Sequence, residues 1–249
     1  MSKFTVILPA AGRSQRFGDK NYKKPFAPLA DRAVWLHTVE RFASRKDVCQ
    51  TILVIAEEDR EAFNAKFGAN LAFMEIDVAI GGNERTDSVA AALEKVSDQA
   101  EYIAIHDAAR PCVEDKSIDA VFAAAEKSGA AILATQVAST LKRAEGSGKT
   151  PAIAETVSRD GLWAAQTPQV FARQLIEQAY ANRGSEPATD DAQLVERLGH
   201  QVTLVPDSPL NIKITTRRDL RLAELILKTA APKKPDGIAH PFAGDDLWR

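Results

Sequence analysis

Phe4-Thr5-Val6-Ile7-Leu8-Pro9-Ala10-Ala11-Gly12-Arg13-Ser14-Gln15-Arg16-Phe17-Gly18 stands near the start of the chain. Phe4 to Leu8 is a short apolar run rich in β-branched residues, which predicts a buried strand. The small residues Pro9, Ala10, Ala11 and Gly12 follow at its C-terminal edge. There the backbone can come close to a nucleotide and offer its N–H groups to phosphate oxygens. Arg16 adds a planar cation, and Lys23 and Lys24 lie within one loop's reach. The segment is neither a Walker loop nor a G-x-G-x-x-G turn, because no Gly-Lys-Ser/Thr occurs and the glycine spacing differs. A tight turn followed by a solvated basic loop is the plainer reading of the same residues.

The pattern begun at Phe4 repeats along the chain. Further strands are predicted at 51–56, 72–78, 102–106, 130–135 and 202–205. Amphipathic helical stretches lie at 33–42, 59–67, 88–96, 117–127, 173–180, 190–198 and 218–227. Such alternation implies an α/β fold: a mostly parallel twisted sheet, Rossmann-like, with helices on both faces and ligand-binding loops at one edge. Residues 136–163 break the rhythm and read as a projecting β-arm. Its strands are expected at 137–143 and 153–157 around a turn at 145–150, a device suited to dimer contact. The expected organisation is one domain over 1–228 and a C-terminal tail, flexible or surface-bound, over 229–249.

Composition narrows the function classes. The chain has 249 residues, 45% hydrophobic and 27% charged, with a formal net charge of -2. Such a balance fits a globular protein and gives no global attraction to nucleic acid. Two cysteines exclude a disulfide framework and a CxxC zinc site. The longest apolar runs are too short to span a bilayer, and the N-terminus lacks a secretion signal's h-region. A cytoplasmic protein with no nucleic-acid or membrane partner is expected.

Three further motifs carry chemistry. Gly81-Gly82-Asn83-Glu84-Arg85-Thr86-Asp87-Ser88 opens a helix, with Thr86 or Asp87 as expected N-cap. Gly82, Asn83 and Ser88 there can read a base edge, although a capped helix start alone explains the pattern. Ile105-His106-Asp107-Ala108-Ala109-Arg110-Pro111 ends a buried strand with an acid placed to hold a divalent metal or a hydroxyl, and Arg110 suits a phosphate. His106 reads as structural. Asn211-Ile212-Lys213-Ile214-Thr215 puts Lys213 on an expected short strand, as a snorkelling surface cation or one reaching the active edge.

PAAGRSQRF, GGNERTDSV, IHDAARP, TLKRA, TVSRDGLWAAQTPQVF, TDDA and NIKIT occur in one order from Phe4 to about Lys228. In order and separation they resemble the motifs of the 2-C-methyl-D-erythritol 4-phosphate cytidylyltransferases of isoprenoid precursor biosynthesis. The resemblance implies a nucleotidyltransferase fold, a homodimer through the arm, and Mg²⁺-dependent transfer of CMP from CTP to the polyol phosphate. By motif position, Pro9, Ala10, Ala11, Gly12, Gly82, Asn83, Ser88 and Ala108 would bind nucleotide. Arg16, Lys24 and Lys213 would be the catalytic cations. Asp107, Arg110, Thr140, Arg159, Thr167 and Thr189 would bind the acceptor, Arg159 across the dimer, with Asp107 also a candidate metal ligand. The chain departs from the family pattern in four places. Ser14 stands where a glycine is usual, Asn83 where Asp is frequent, and Ser139 where Asp is usual. Lys23-Lys24-Pro25-Phe26 replaces the common Pro-Lys-Gln-Tyr, leaving Lys24 the match and Lys23 a substitute. A ribitol 5-phosphate cytidylyltransferase, or a non-catalytic nucleotide-binding protein, is the alternative.

Overall fold

The computed structural model describes residues 2–12, 17, 23–146 and 150–229. Its strands are β1 (Phe4–Pro9), β2 (Pro28–Leu29), β3 (Arg32–Ala33), β4 (Val48–Ile55), β5 (Ile76–Ile80) and β6 (Tyr102–Ile105), then β7 (Ala130–Gln136), β8 (Leu141–Glu145), β9 (Ala152–Val157), β10 (Trp163–Ala172) and β11 (Thr203–Pro206). The helices are α1 (Val34–Ala43), α2 (Arg60–Phe73), α3 (Arg85–Leu93), α4 (Asp115–Ser128), α5 (Arg173–Ala181), α6 (Asp191–Arg197) and α7 (Arg217–Thr229).

Seven strands make one sheet in the order β11-β7-β10-β6-β1-β4-β5. Neighbours are parallel except at β10, which runs antiparallel to both β6 and β7. The mostly parallel doubly wound sheet expected from the sequence is therefore present, with one reversed strand. Both faces are covered, so strand residues are apolar on each side. Val6 and Leu8 pack with Trp35, Phe42, Phe63 and Phe122 from α1, α2 and α4. Ile7 between them points the other way, toward Val89 of α3, Ile176 of α5 and Val195 of α6. The order reverses at β1, since β4 and β5 lie on one side and β6 on the other. A crevice opens at such a switch point, beyond the C-terminal ends of the two strands. Here those ends are Pro9 and Ile105, and the first and third sequence motifs follow them.

Several expectations change. The strand expected at 72–78 starts at Ile76, because Leu71, Ala72 and Phe73 extend α2 and the chain turns at Glu75, with φ of 53°. A short apolar run suits helix and strand equally by period, and the good helix formers decide it. Helix α3 begins at Arg85, not Ser88. Its N-cap is Glu84, whose N–H donates to Asp87 in a capping box at 3.2 Å, so neither Thr86 nor Asp87 is the cap. Lys213 is not on a strand. Strand β6 already has β1 and β10 on its two edges, so the 211–215 segment adds no strand there; its Ile214 N–H bonds the turn after β6 at the Ala109 C=O, 2.8 Å away. Strand β10 has no counterpart in the sequence reading; its Ala164-Ala165-Gln166 run lacks a strand signature, and its pairing with β7 shifts register between Ala165 and Gln169. The arm is a separate antiparallel pair, β8 with β9. The tail from residue 230 lies outside the described residues.

Candidate active site

A cleft of about 440 Å³ lies at the switch point. One wall is Pro9 to Gly12, the other the Gly81–Ser88 turn into α3. These walls meet closely. A Cβ on Gly81 would stand 2.7 Å from the Ala11 Cβ and 2.6 Å from Ser88 Oγ, so only glycine allows the approach. Lys24 closes one end, and Asp107 and Lys213 the other. The cleft thus gathers most of the expected nucleotide set from two separate motifs. Ala108 departs from that set. Its side chain is fully buried, its carbonyl accepts Thr38 Oγ1 at 3.0 Å, and neighbouring Ala109 lines the cleft instead. Ser88 is buried in the wall, and its hydroxyl donates to the Glu84 carbonyl at 3.1 Å. Arg16 lies outside the described residues. Lys23 is held by Glu58 at 2.9 Å and Asp59 at 2.7 Å, away from the role of a substitute for Lys24. Burial opposes its charge, but those two carboxylates hold its pKa above the ordinary lysine value.

A second cavity of about 250 Å³ adjoins the first. Arg110, Thr167 and Thr189, expected on the acceptor side, all line it. Asp107, Lys213 and Arg85 line both cavities and form the wall between them. Asp107 Oδ2 faces Lys213 Nζ at 2.8 Å and Arg110 Nε at 3.2 Å, and Oδ1 faces Arg85 Nε at 3.9 Å. Burial alone would raise the carboxyl pKa, yet Lys213, Arg85 and Arg110 overcome it and hold the group far below the usual carboxylate range. The group is an anion at any working pH.

The turn carrying Asp107 is built from hydrogen bonds. His106 Nε2 donates to the Arg110 carbonyl at 3.1 Å, because a carbonyl can only accept. Nδ1 is then the acceptor for the Thr167 hydroxyl at 3.1 Å, and Thr167 Oγ1 in turn accepts the Asp107 N–H at 3.1 Å. Complete burial lowers the His106 pKa to about 4, against opposing help from its Arg110 hydrogen bond and Asp107. His106 is neutral and structural, as the sequence suggests. Arg110 Nη1 donates to the Asn211 carbonyl at 2.6 Å, tying the Lys213 segment to the same turn.

Thr140 and Arg159 line neither cavity; both are exposed in the arm region, where Arg159 donates to the Ala138 carbonyl. Sequence reasoning missed Arg85, Gln166, Gln169, Asn211 and Asp191. Arg85 stands inside a quoted motif, but its partner Asp191 is 106 positions away and no local pattern joins them. Among the described residues no cluster of three or more His, Cys, Asp or Glu could hold a metal ion.

Known proteins place this architecture. Residues 4–229 match the family model of 2-C-methyl-D-erythritol 4-phosphate cytidylyltransferase. The chain is 47% identical over 234 residues to the protein of that name from Rhodopirellula baltica, covering 90% of this chain and 94% of the relative. It is 42% identical to the one from Bacillus velezensis, covering 91% and 96%. The crystal structure of the protein of that name from Thermus thermophilus superposes with a TM-score of 0.74 at 31% identity, over 92% of this chain and all of that one. With the cleft, the adjoining cavity and these likenesses together, the chain belongs to the 2-C-methyl-D-erythritol 4-phosphate cytidylyltransferase family.

Proposed function

We propose that the chain transfers CMP from CTP to 2-C-methyl-D-erythritol 4-phosphate, releasing pyrophosphate and giving the 4-diphosphocytidyl product of isoprenoid precursor biosynthesis. The observation that carries the assignment of sites is the shared wall. A cavity at the low end of the roughly 300–1,000 Å³ usual for ligand sites meets a smaller one at Asp107, Lys213 and Arg85. CTP takes the larger, with its base against Gly82 and Asn83 and its triphosphate toward the Pro9–Gly12 backbone, Arg16 and Lys24. The polyol phosphate takes the smaller, against Arg110, Thr167 and Thr189.

An oxygen of the acceptor's 4-phosphate attacks the α-phosphorus of CTP. A new P–O bond forms, the bond from the α-phosphorus to the bridging oxygen breaks, and pyrophosphate leaves with that electron pair. The acceptor phosphate has a second pKa of about 6, so at neutral pH it is largely dianionic and needs no base. The barrier is anion meeting anion. Catalysis therefore rests on in-line positioning and on cations held ready in a cleft. Lys213 stands at the boundary, where both phosphates must meet. Asp107 keeps it there until a phosphate competes for it, and Asp107 also suits the ribose or polyol hydroxyls. Mg²⁺ fits as a cation carried by the triphosphate, because Asp107 belongs to no cluster of metal-ligating side chains among the described residues and already faces three cations. When bound, it neutralises phosphate charge. Thr140 and Arg159 act on the acceptor from the arm, Arg159 across a homodimer. A cytoplasmic location fits, and no helix among the described residues is long and apolar enough to cross a membrane.

Pyrophosphate release tests this directly, with CTP and Mg²⁺ and either methylerythritol 4-phosphate or ribitol 5-phosphate. CTP-specific turnover with the former is expected, with ATP and GTP inactive. Turnover with ribitol 5-phosphate alone would move the acceptor assignment.

A further inference from the structure

Arg85 is the one side chain of the shared wall that the sequence did not single out, and its surroundings are unusual. Its Nη2 lies 2.6 Å from Asp191 Oδ2. Asp191 is wholly buried, and its other oxygen accepts the Tyr180 hydroxyl at 2.5 Å. The backbone N–H groups of Asp191 and Ala192 both donate to Gln169 Oε1, at 3.1 and 3.0 Å. A carboxylate so enclosed must have a cation, and an arginine matched to it has little freedom to turn. Burial opposes the guanidinium's charge, but Asp191 more than restores it.

The pair is not arranged as a stability device alone. Nη1 of Arg85 is buried with no hydrogen-bond partner among the described residues. The edges in use are the two that face carboxylates: Nη2 toward Asp191 and Nε toward Asp107 Oδ1 at 3.9 Å. On Asp107 the division of labour is clear. Lys213 and Arg110 take Oδ2, while Arg85 alone of the three stands on the Oδ1 side.

We infer that Arg85 is a positioning residue for the transfer step: anchored through Asp191 and Tyr180, it fixes the Asp107 carboxylate and, through it, the resting place of Lys213 between the two cavities. Helices α5 and α6, which touch no reacting group, thereby reach the reaction centre. The inference rests on the proposed reaction. Arginine is required because its fork spans two carboxylates, where the single ammonium of lysine reaches one.

Kinetics of the full chain with CTP and methylerythritol 4-phosphate test it, using Arg85→Lys and Asp191→Asn beside the unaltered chain. Lysine keeps a positive charge for Asp191, so a role confined to structure is rescued by it. We expect Arg85→Lys to melt cooperatively near the unaltered chain, lose about tenfold in kcat, and keep KM for CTP within about twofold. Full kcat in a folded Arg85→Lys overturns the inference. So does a loss confined to KM for CTP, which would make Arg85 a nucleotide contact. If Arg85→Lys fails to fold, Asp191→Asn decides: lowered kcat with an intact melt supports the inference, and unchanged kcat overturns it. Silence of the unaltered chain overturns the proposed function and this inference with it, whereas turnover there with undiminished kcat in Arg85→Lys overturns the inference alone.

Discussion

Asp107 is an anion removed from water and then ringed by cations, and each neighbour has a separable consequence. Lys213→Ala should lower kcat on the order of 10²–10³ while the thermal melt stays close to the original, since removing one preorganised charge costs that much in rate. Turnover rates set beside melting curves measure both. His106 gives a pH signature. Its folded pKa, about 4, lies below the unfolded value of 6.5, so between those values the unfolded chain binds more protons. Stability from this group is therefore complete above pH 6.5 and drains away as pH falls toward 4. At pH 5 the loss is about 2 kcal/mol. Denaturant titrations at pH 7 and pH 5 should show that drop, and His106→Gln should remove most of it. At this scale the sequence was informative wherever a role is local. Asp107, Arg110 and Lys213 announced themselves as charged residues beside strand ends or within short motifs. Arg85 did not, because its meaning depends on Asp191, and only the fold decides that Ala109 rather than Ala108 lines the cleft.

Elements bring these residues together by close approach. The turn after β1 and the start of α3 touch through Gly81, where an added methyl meets Ala11 and Ser88. Gly81→Ala should push the two walls apart, destabilise the fold by about 1–3 kcal/mol and raise KM for CTP more than KM for the acceptor. Steady-state kinetics with each substrate varied in turn distinguish the two. Helix α6 depends on Asp190, which accepts the Gln193 N–H at 3.0 Å and the Gln169 amide at 2.9 Å. Asp190→Ala should lower stability by about 1 kcal/mol, read from a denaturant midpoint. The strands of the parallel half were legible from their apolar runs because both faces are buried. Strand β10 was not, since its identity comes from pairing with β6 and β7 rather than from its own residues. The segment holding Lys213 misled for the converse reason: its Ile-Lys-Ile alternation suits a strand, but β6, whose following turn it meets, already has a neighbour on each side.

The arm belongs to the scale of the whole molecule. Its two strands pair only with each other, Ile153 is 65% exposed, and a lone hairpin is marginal in water. Replacing residues 141–157 with a short glycine-serine turn should yield a monomer in sedimentation and raise KM for the acceptor. Arg159→Ala should raise the same KM with little change for CTP; equal effects on both substrates would deny it a place near the acceptor. The arm also follows directly on strands bordering the smaller cavity, since β7 and β10 pair from Trp163 opposite Gln136 to Phe171 opposite Ala130, with a register shift between Ala165 and Gln169.

Chain order keeps the linings of the two cavities largely apart. The larger cleft draws on residues before 110 and on Lys213, whereas the smaller cavity takes Ala165 to Asp190 for most of its lining. The arm falls within the same stretch as the second group. One uninterrupted stretch, roughly from β7 to the start of α6, therefore carries both most of the smaller cavity's lining and the arm, the parts proposed to judge the acceptor and to meet a second copy. Under the proposed function, exchange at two points would replace most of the acceptor's surroundings and leave the larger cleft's lining, with Arg85, Asp107, Arg110 and Lys213, in place. A lineage diversifying its acceptors has that route open without rebuilding its catalyst.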